Sequence, residues 1–167
     1  IVNEQFRYYK QEIEANDPAV LAEFRALLEG NVNGCPSYKQ ITEKIKGSPS
    51  LSKIDQDLTV HKWDEIKPLL YQAVQKIEVK SINGSSGDVV DYQLNSKTGI
   101  SVIAIGGDKL SRGLTLEGLS VSYFLRASKM YDTLMQMGRW FGYRPSYVDL
   151  CRLFTSSELN EWYRHIA

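Results

Sequence analysis

Two short stretches carry residue types that could act together on an anion. The first, "GGDKLSRGLTLEG" from Gly106 to Gly118, sets Asp108, Lys109, Ser111 and Arg112 among glycines. The second, "GRWFGYRPSY" from Gly138 to Tyr147, sets Arg139 and Arg144 five residues apart between glycines and bulky aromatics. A guanidinium is planar, stays charged and donates two parallel hydrogen bonds to a phosphate. Pro145 restricts the backbone at Arg144, and stiff presentation suits a fixed anion contact. The same arginines also suit a helix C-terminus, where cations meet the negative end of the dipole. The first stretch is equally double. Gly106 and Gly107 let backbone pass close to a ligand, or they make a strand-end turn whose charges are solvated. It is not a Walker loop: the four-residue gap before Gly-Lys-Ser/Thr is missing, and no such loop occurs anywhere in the chain.

A third stretch, "IEVK", raises a metal-dependent alternative. Glu78 and Lys80 have the spacing of nucleases in which two acids bind magnesium and a lysine steadies the attacking water or the scissile phosphate. Asp64 is the upstream acid, but it falls on an expected helix where those enzymes use a strand. The simpler reading is a half-exposed strand, with Ile77, Val79 and Ser81 on one side and Glu78 and Lys80 on the other. A non-catalytic binding module is the third class. In it Trp140, Tyr143 or Tyr147 would stack on the bases of a single strand; packing under a loop is the alternative for each. Cys35, Cys151, His61 and His165 are isolated from one another, so neither a zinc site nor a disulfide framework is expected, and a reducing compartment fits.

The elements that must position these residues divide into two parts. The first part is helical. "EQFRYYKQEIEA" has helical spacing at Phe6, Tyr9 and Ile13. Asp17 as N-cap, Pro18 at the first helical position and Gly30 past the end bracket a second helix, with Val20, Phe24, Leu27 and Leu28 on one face. "SYKQITEKIKG" makes a shorter helix with Tyr38, Ile41 and Ile45 in phase and Gly47 as its stop, followed by the polar connector "SPSLSKIDQD". A fourth helix is expected from about Thr59 to Gln75, with Trp63, Ile66, Leu70 and Val74 inward.

Then the period changes. "KIEVKSI" alternates as a strand, "NGSSGD" is a loop and "VVDYQL" a short strand. "ISVIAIGG" is a continuous apolar run, the pattern of a strand buried on both faces in a parallel sheet. "LSVSYFLR" is a strand, "SKMYDTLMQMGRW" a helix and "YVDLCRLF" another core strand. "TSSELNEWYRHIA" is a helix opened by a capping box from Thr155 to Glu158. Strands alternating with helices predict an α/β fold, with a mostly parallel sheet and helices on both faces in three layers. Function in such folds gathers beyond the carboxyl ends of the strands, and both glycine-bracketed stretches lie where that rule looks.

Composition narrows the class. The chain has 167 residues, 43% hydrophobic and 24% charged, with 20 basic and 20 acidic residues and a formal net charge of zero. This is a globular composition, and it argues against a uniformly basic nucleic-acid coat. A local excess survives: from Ser101 to Arg152 seven basic residues face four acids. No apolar run is long enough for a membrane span, and "IVNEQFRYYKQEIEA" is not a signal peptide. It reads as the middle of a longer chain.

Taken together, "IAIGGDKLSRGLTLEGLSVSYFLRASKMYDTLMQMGRWFGYRP" resembles the second RecA-like domain of superfamily-two helicases. In detail it is similar to the Z-one domain, a family associated with endonuclease activity and found beside a helicase domain. The resemblance is strong from Ile103 to Leu153, and "HKWDEI" and "VKSINGSSGD" also fit it. Asp108, Arg112, Gly113 and Leu114 match the fifth helicase motif. Thr115 stands where an acid often holds the nucleotide ribose, and Gly107 where a threonine is common. Gln136, Gly138, Arg139, Gly142 and Arg144 resemble the sixth motif. Gln136 is one residue closer to the Gly-Arg than usual, and Arg144 two residues further from Arg139.

The resemblance implies a RecA-like core over residues 77–167, with the helical residues 1–76 as an insertion or flank of the same domain. It implies one half of an ATP site in a helicase-like, nucleic-acid-dependent ATPase. Arg139 would be the trans-acting finger and Arg144 its support. Asp108, Ser111, Arg112, Gly113 and Thr115 would form the loop that senses nucleotide and nucleic acid, with Gln136 as the polar link. Lys109 and Lys129 would contact backbone phosphates. ATP and magnesium are expected in the full-length protein, with none bound to this portion alone, which would be inactive by itself. The expected partners are DNA and a preceding RecA-like domain of the same protein, with no membrane. A bacterial, cytoplasmic setting in restriction or defence is implied on the same ground.

Overall fold

The computed structural model describes residues 1–53, 57–82, 99–107, 118–125 and 146–166. The first helix, α1, spans Val2–Glu14, starting slightly earlier than its pattern predicts, and buries Ile13. The second, α2, spans Pro18–Glu29. Asp17 caps it as expected: one carboxylate oxygen accepts from the amides of Ala19 and Val20, each at 2.9 Å. Tyr9 locks the two helices together. Its ring meets Phe24 edge-on at 5.9 Å and its hydroxyl donates to Glu23 at 3.1 Å. The inward face of α2 differs from the expected one by a small rotation. Val20 and Leu21 are buried, whereas Leu27 is 45% exposed. The stripe therefore runs through Val20, Leu21 and Phe24.

A two-residue hairpin, β1 (Asn31–Val32) and β2 (Cys35–Pro36), follows α2. Asn33 and Gly34 both take positive φ, 53° and 77°, the conformation a tight hairpin turn demands and that Asn-Gly accepts most easily. The short helix α3 spans Tyr38–Gly47. Ser37 and Gln40 make a reciprocal capping box: Gln40 N donates to Ser37 Oγ, and Ser37 N donates to Gln40 Oε1.

The expected fourth helix is broken. It begins at Trp63 and divides into α4 (Trp63–Ile66), a 3₁₀ turn (Lys67–Leu69) and α5 (Leu70–Gln75). Pro68 explains the break, since it has no amide to donate and its ring crowds the carbonyl four residues back. The inward residues are as predicted, with Trp63 buried and Ile66, Leu70 and Val74 half-buried.

The strands pair in parallel. β3 (Ile77–Ile82) runs beside β4 (Ser101–Gly106) in register from Ile77 opposite Ser101 to Ile82 opposite Gly106. β5 (Val121–Tyr123) runs beside β6 (Arg152–Phe154), with Val121 opposite Arg152. Parallel neighbours need a crossover between them, and both pairs are joined by long stretches of chain. The architecture is thus mixed helix and strand with short parallel sheets; each sheet among the described residues has two strands.

Three sequence expectations change here. β4 is half-buried through Val102, Ile103 and Ala104 and exposed at Ile105, so among the described residues it is not covered on both faces. Its one described neighbour is β3. "YVDLCRLF" is not one strand: Val148–Leu150 is a 3₁₀ turn and only Arg152–Phe154 is extended. The last helix, α6 (Ser157–Ile166), is capped by Ser156, whose Oγ accepts from Leu159 N, rather than by Thr155. α6 packs Leu159 against Phe124, with Trp162 and Tyr163 beside them. The expected strand in "VVDYQL", the loop "NGSSGD" and the helix "SKMYDTLMQMGRW" lie outside the described residues. No helix among those described is long and apolar enough to cross a membrane.

Candidate functional site

Asp108, Lys109, Ser111, Arg112, Gly113, Thr115, Lys129, Gln136, Arg139 and Arg144 all lie outside the described residues, as do Trp140 and Tyr143. The structure does describe the backbone that enters and leaves their stretches. β4 delivers the chain to Gly106 and Gly107, directly ahead of Asp108. The chain re-emerges at Gly118, which has φ 81°, and passes into β5. After the arginine stretch it re-emerges at Ser146, which holds φ 59°. A non-glycine residue there costs about 1 kcal/mol, so this turn is held by its surroundings.

The two exits meet. The Tyr147 hydroxyl donates to the carbonyl of Gly118 at 3.4 Å. Just before and just after β5 the same two segments pair again: Arg152 N donates to Ser120 O at 2.8 Å and Phe124 N donates to Phe154 O at 2.8 Å. The first described residues after each stretch, Gly118 on one side and Tyr147 on the other, are therefore neighbours in space. Tyr147 is half-buried and engaged through its hydroxyl, so it is a packing residue at this junction rather than an open platform for a base.

Two residues on from Tyr147 begins a polar cluster that the sequence pattern did not single out. Thr42 and Asp149 are both buried, at 4% and 6% exposure. Thr42 Oγ1 donates to Asp149 Oδ2 at 2.7 Å and has the Tyr38 carbonyl as a second acceptor at 2.9 Å. The Arg152 guanidinium stacks 4.0 Å above the Tyr38 ring. Its Nη1 donates to the carbonyls of Asp149, at 2.7 Å, and Cys151, at 2.8 Å. Those carbonyls belong to the 3₁₀ turn and to the residue that leads from it into β6, and the arginine side chain satisfies them. The signal that could have exposed this cluster is an aspartate in the middle of the apolar run "YVDLCRLF", since a buried acid needs a partner.

The metal-dependent alternative finds a different geometry. Glu78 and Lys80 lie on one face of β3, both well exposed, and pair with each other at 3.1 Å. Asp64 is on α4, a helix, as its pattern predicts. Among the described residues no three acids, histidines or cysteines gather where they could hold a metal ion. His61 faces Glu65 at 3.4 Å on the surface. Neither Cys35, which is exposed, nor Cys151, which is half-buried, is in a disulfide; Cys151 Sγ donates to the Tyr147 carbonyl at 3.6 Å.

Among the described residues two carboxylates are shifted, and both serve structure. Glu29 lies below the ordinary glutamate range, first because Trp63 N donates to it and then because Arg25 does. Glu65 is lowered chiefly by the amide of Lys62 and secondarily by His61. Together they hold the start of α4. The hydroxyls of Tyr9 and Tyr71 are raised by the glutamates that accept from them, Glu23 and Glu14.

No match was found among curated proteins or among solved structures. The family model described as Z1 domain, the Z-one domain of the sequence resemblance, matches residues 1–167. That match spans the helical part, both parallel strand pairs and both glycine-bracketed stretches, and the chain belongs to the Z1 domain family.

Proposed function

We propose that this chain is the second RecA-like domain of a helicase-like, DNA-dependent ATPase, built on a three-layer sheet with helices on both faces. It works in the bacterial cytoplasm within a restriction or defence system. The observation that carries the reading is the meeting of the two loop exits, where Tyr147 bonds to Gly118. A half-site needs its sensing loop and its arginines side by side, and their sequence neighbours are side by side. The parallel pairing of β3 with β4 and of β5 with β6 supports the same fold class, as does the position of the first loop at the carboxyl end of β4.

In this reading Arg139 donates to the phosphoryl group of an ATP held by a preceding RecA-like domain, with Arg144 in support. Asp108, Ser111, Arg112, Gly113 and Thr115 sense nucleotide and nucleic acid, and Gln136 links the two groups. Lys109 and Lys129 contact backbone phosphates. ATP and its magnesium supply the bond that is broken; this chain's part is to place positive charge where charge develops.

The test is Arg139→Ala in the full-length protein. DNA-stimulated ATP hydrolysis falls by about a thousandfold or more, while ATP binding measured by titration stays close to wild type. Hydrolysis that continues at the wild-type rate removes the finger from Arg139. The endonuclease reading draws no comparable support, because Glu78 is exposed and already paired with Lys80.

A further inference from the structure

Thr42 and Asp149 are 107 residues apart in the chain, yet they share a buried side-chain hydrogen bond of 2.7 Å. Tyr38 lies one turn before Thr42 on α3, so both side chains project from the same face of the helix. Tyr38 takes the Arg152 guanidinium on its ring and Thr42 takes the Asp149 carboxylate. Arg152 then ties the carbonyls of Asp149 and Cys151 back to itself. Two anchors on one helix face thus grip a single short segment at two points, Asp149 and Arg152.

That segment has a particular place. It starts at Ser146, two positions after Arg144, and contains Tyr147, which bonds to the exit of the first loop. We infer that α3 braces this segment, and that Thr42 is a positioning residue for the reaction of the neighbouring half-site. The second clause rests on the ATPase reading; the first does not. The helical part would then set how firmly the arginine stretch is held, without touching nucleotide itself. A hydroxyl that only fills interior space would behave otherwise: any side chain of equal shape would replace it.

The experiment uses the full-length protein and the variants Thr42→Val, which keeps the shape and removes the donor, and Thr42→Ser, which keeps the hydroxyl. Hydrogen exchange at the amides from Leu150 to Phe154 becomes about tenfold faster in the valine variant, since a buried carboxylate loses its donor. The serine variant exchanges at nearly the wild-type rate. DNA-stimulated kcat falls about tenfold in the valine variant while KM for ATP moves less than about twofold, and serine restores it. Wild-type exchange in the valine variant, or a serine variant as impaired as the valine one, overturns the brace. Faster exchange with unchanged kcat overturns the positioning role. A wild-type protein that hydrolyses no ATP defeats the ATPase reading and the positioning role with it, and the exchange measurement still decides the brace. If Thr42→Val does not fold, Tyr38→Leu removes the stacking anchor instead and is read by the same two measurements.

Discussion

Thr155 and Ser156 are adjacent hydroxyl residues at the mouth of α6, and they do different things. Ser156 Oγ accepts from Leu159 N at 3.2 Å. Thr155 Oγ1 is buried with no partner among the described residues. The Thr-x-x-Glu pattern favours Thr155 because Glu158 stands where a reciprocal bond would form, yet the chain enters the helix one residue later. A cap is chosen by where the backbone turns, and the turn here follows from the end of β6 at Phe154. Ser156→Ala should lower stability by about 1 kcal/mol. Thr155→Val should be neutral or mildly stabilising, because a methyl of the same shape replaces an unsatisfied hydroxyl. Denaturant midpoints of the two variants measure this directly, and a larger loss in Thr155→Val would return the cap to Thr155.

At the scale of elements, α4 shows what local pattern can and cannot carry. Its inward residues, Trp63 and Ile66, follow from helical period, as Phe6, Tyr9 and Ile13 do in α1. Its boundaries depend on Pro68 inside the pattern and on two acceptors. One of these, Glu29, lies 34 residues away from the amide it takes. The same limit applies to the candidate site. The types and spacing of Arg139, Arg144 and Asp108 are legible in the chain, and so is the parallel strand pattern that flanks them. The Thr42–Asp149 contact is not, because it depends on how α3 packs against a turn that the pattern reads as a strand. The carboxylates at α4 also give it a pH response. Both Glu29 and Glu65 have folded values below the ordinary 4.5. Their contribution is therefore fully present above about 4.5 and is lost as pH falls through the lower folded values. In an amide spectrum the Trp63 and Lys62 signals should each titrate with a midpoint below 4.5. Glu29→Gln should abolish the Trp63 step and leave that of Lys62. A Trp63 midpoint at or above the ordinary value contradicts the assignment.

The whole molecule raises the question of whether the helical residues 1–76 and the strand-bearing residues 77–167 are separable. Two parallel strand pairs make few local contacts, and each needs a long crossover to close before its hydrogen bonds form. β5 and β6 are only three residues long, and among the described residues the buried cluster beside them consists of Phe124 and Leu159. The C-terminal half also carries two groups that are costly to leave without cover, the Asp149 carboxylate and the Arg152 guanidinium. Thr42 and Tyr38 supply that cover from the other half. Cutting the chain at residue 76 would leave the buried acid without its hydroxyl donor and the arginine without its ring, a loss of about 2–5 kcal/mol, a large fraction of the ~5–15 kcal/mol that holds a domain folded. Residues 77–167 produced alone should therefore show no cooperative thermal transition, while the whole chain shows one. Mixing the two halves should restore a transition only if α3 can find its segment again, and Thr42→Val in the helical half should weaken that recovery. A sharp transition for 77–167 alone, close to that of the whole chain, would place an independent domain boundary at residue 76 and reduce α3 to a neighbour of the strand-bearing part.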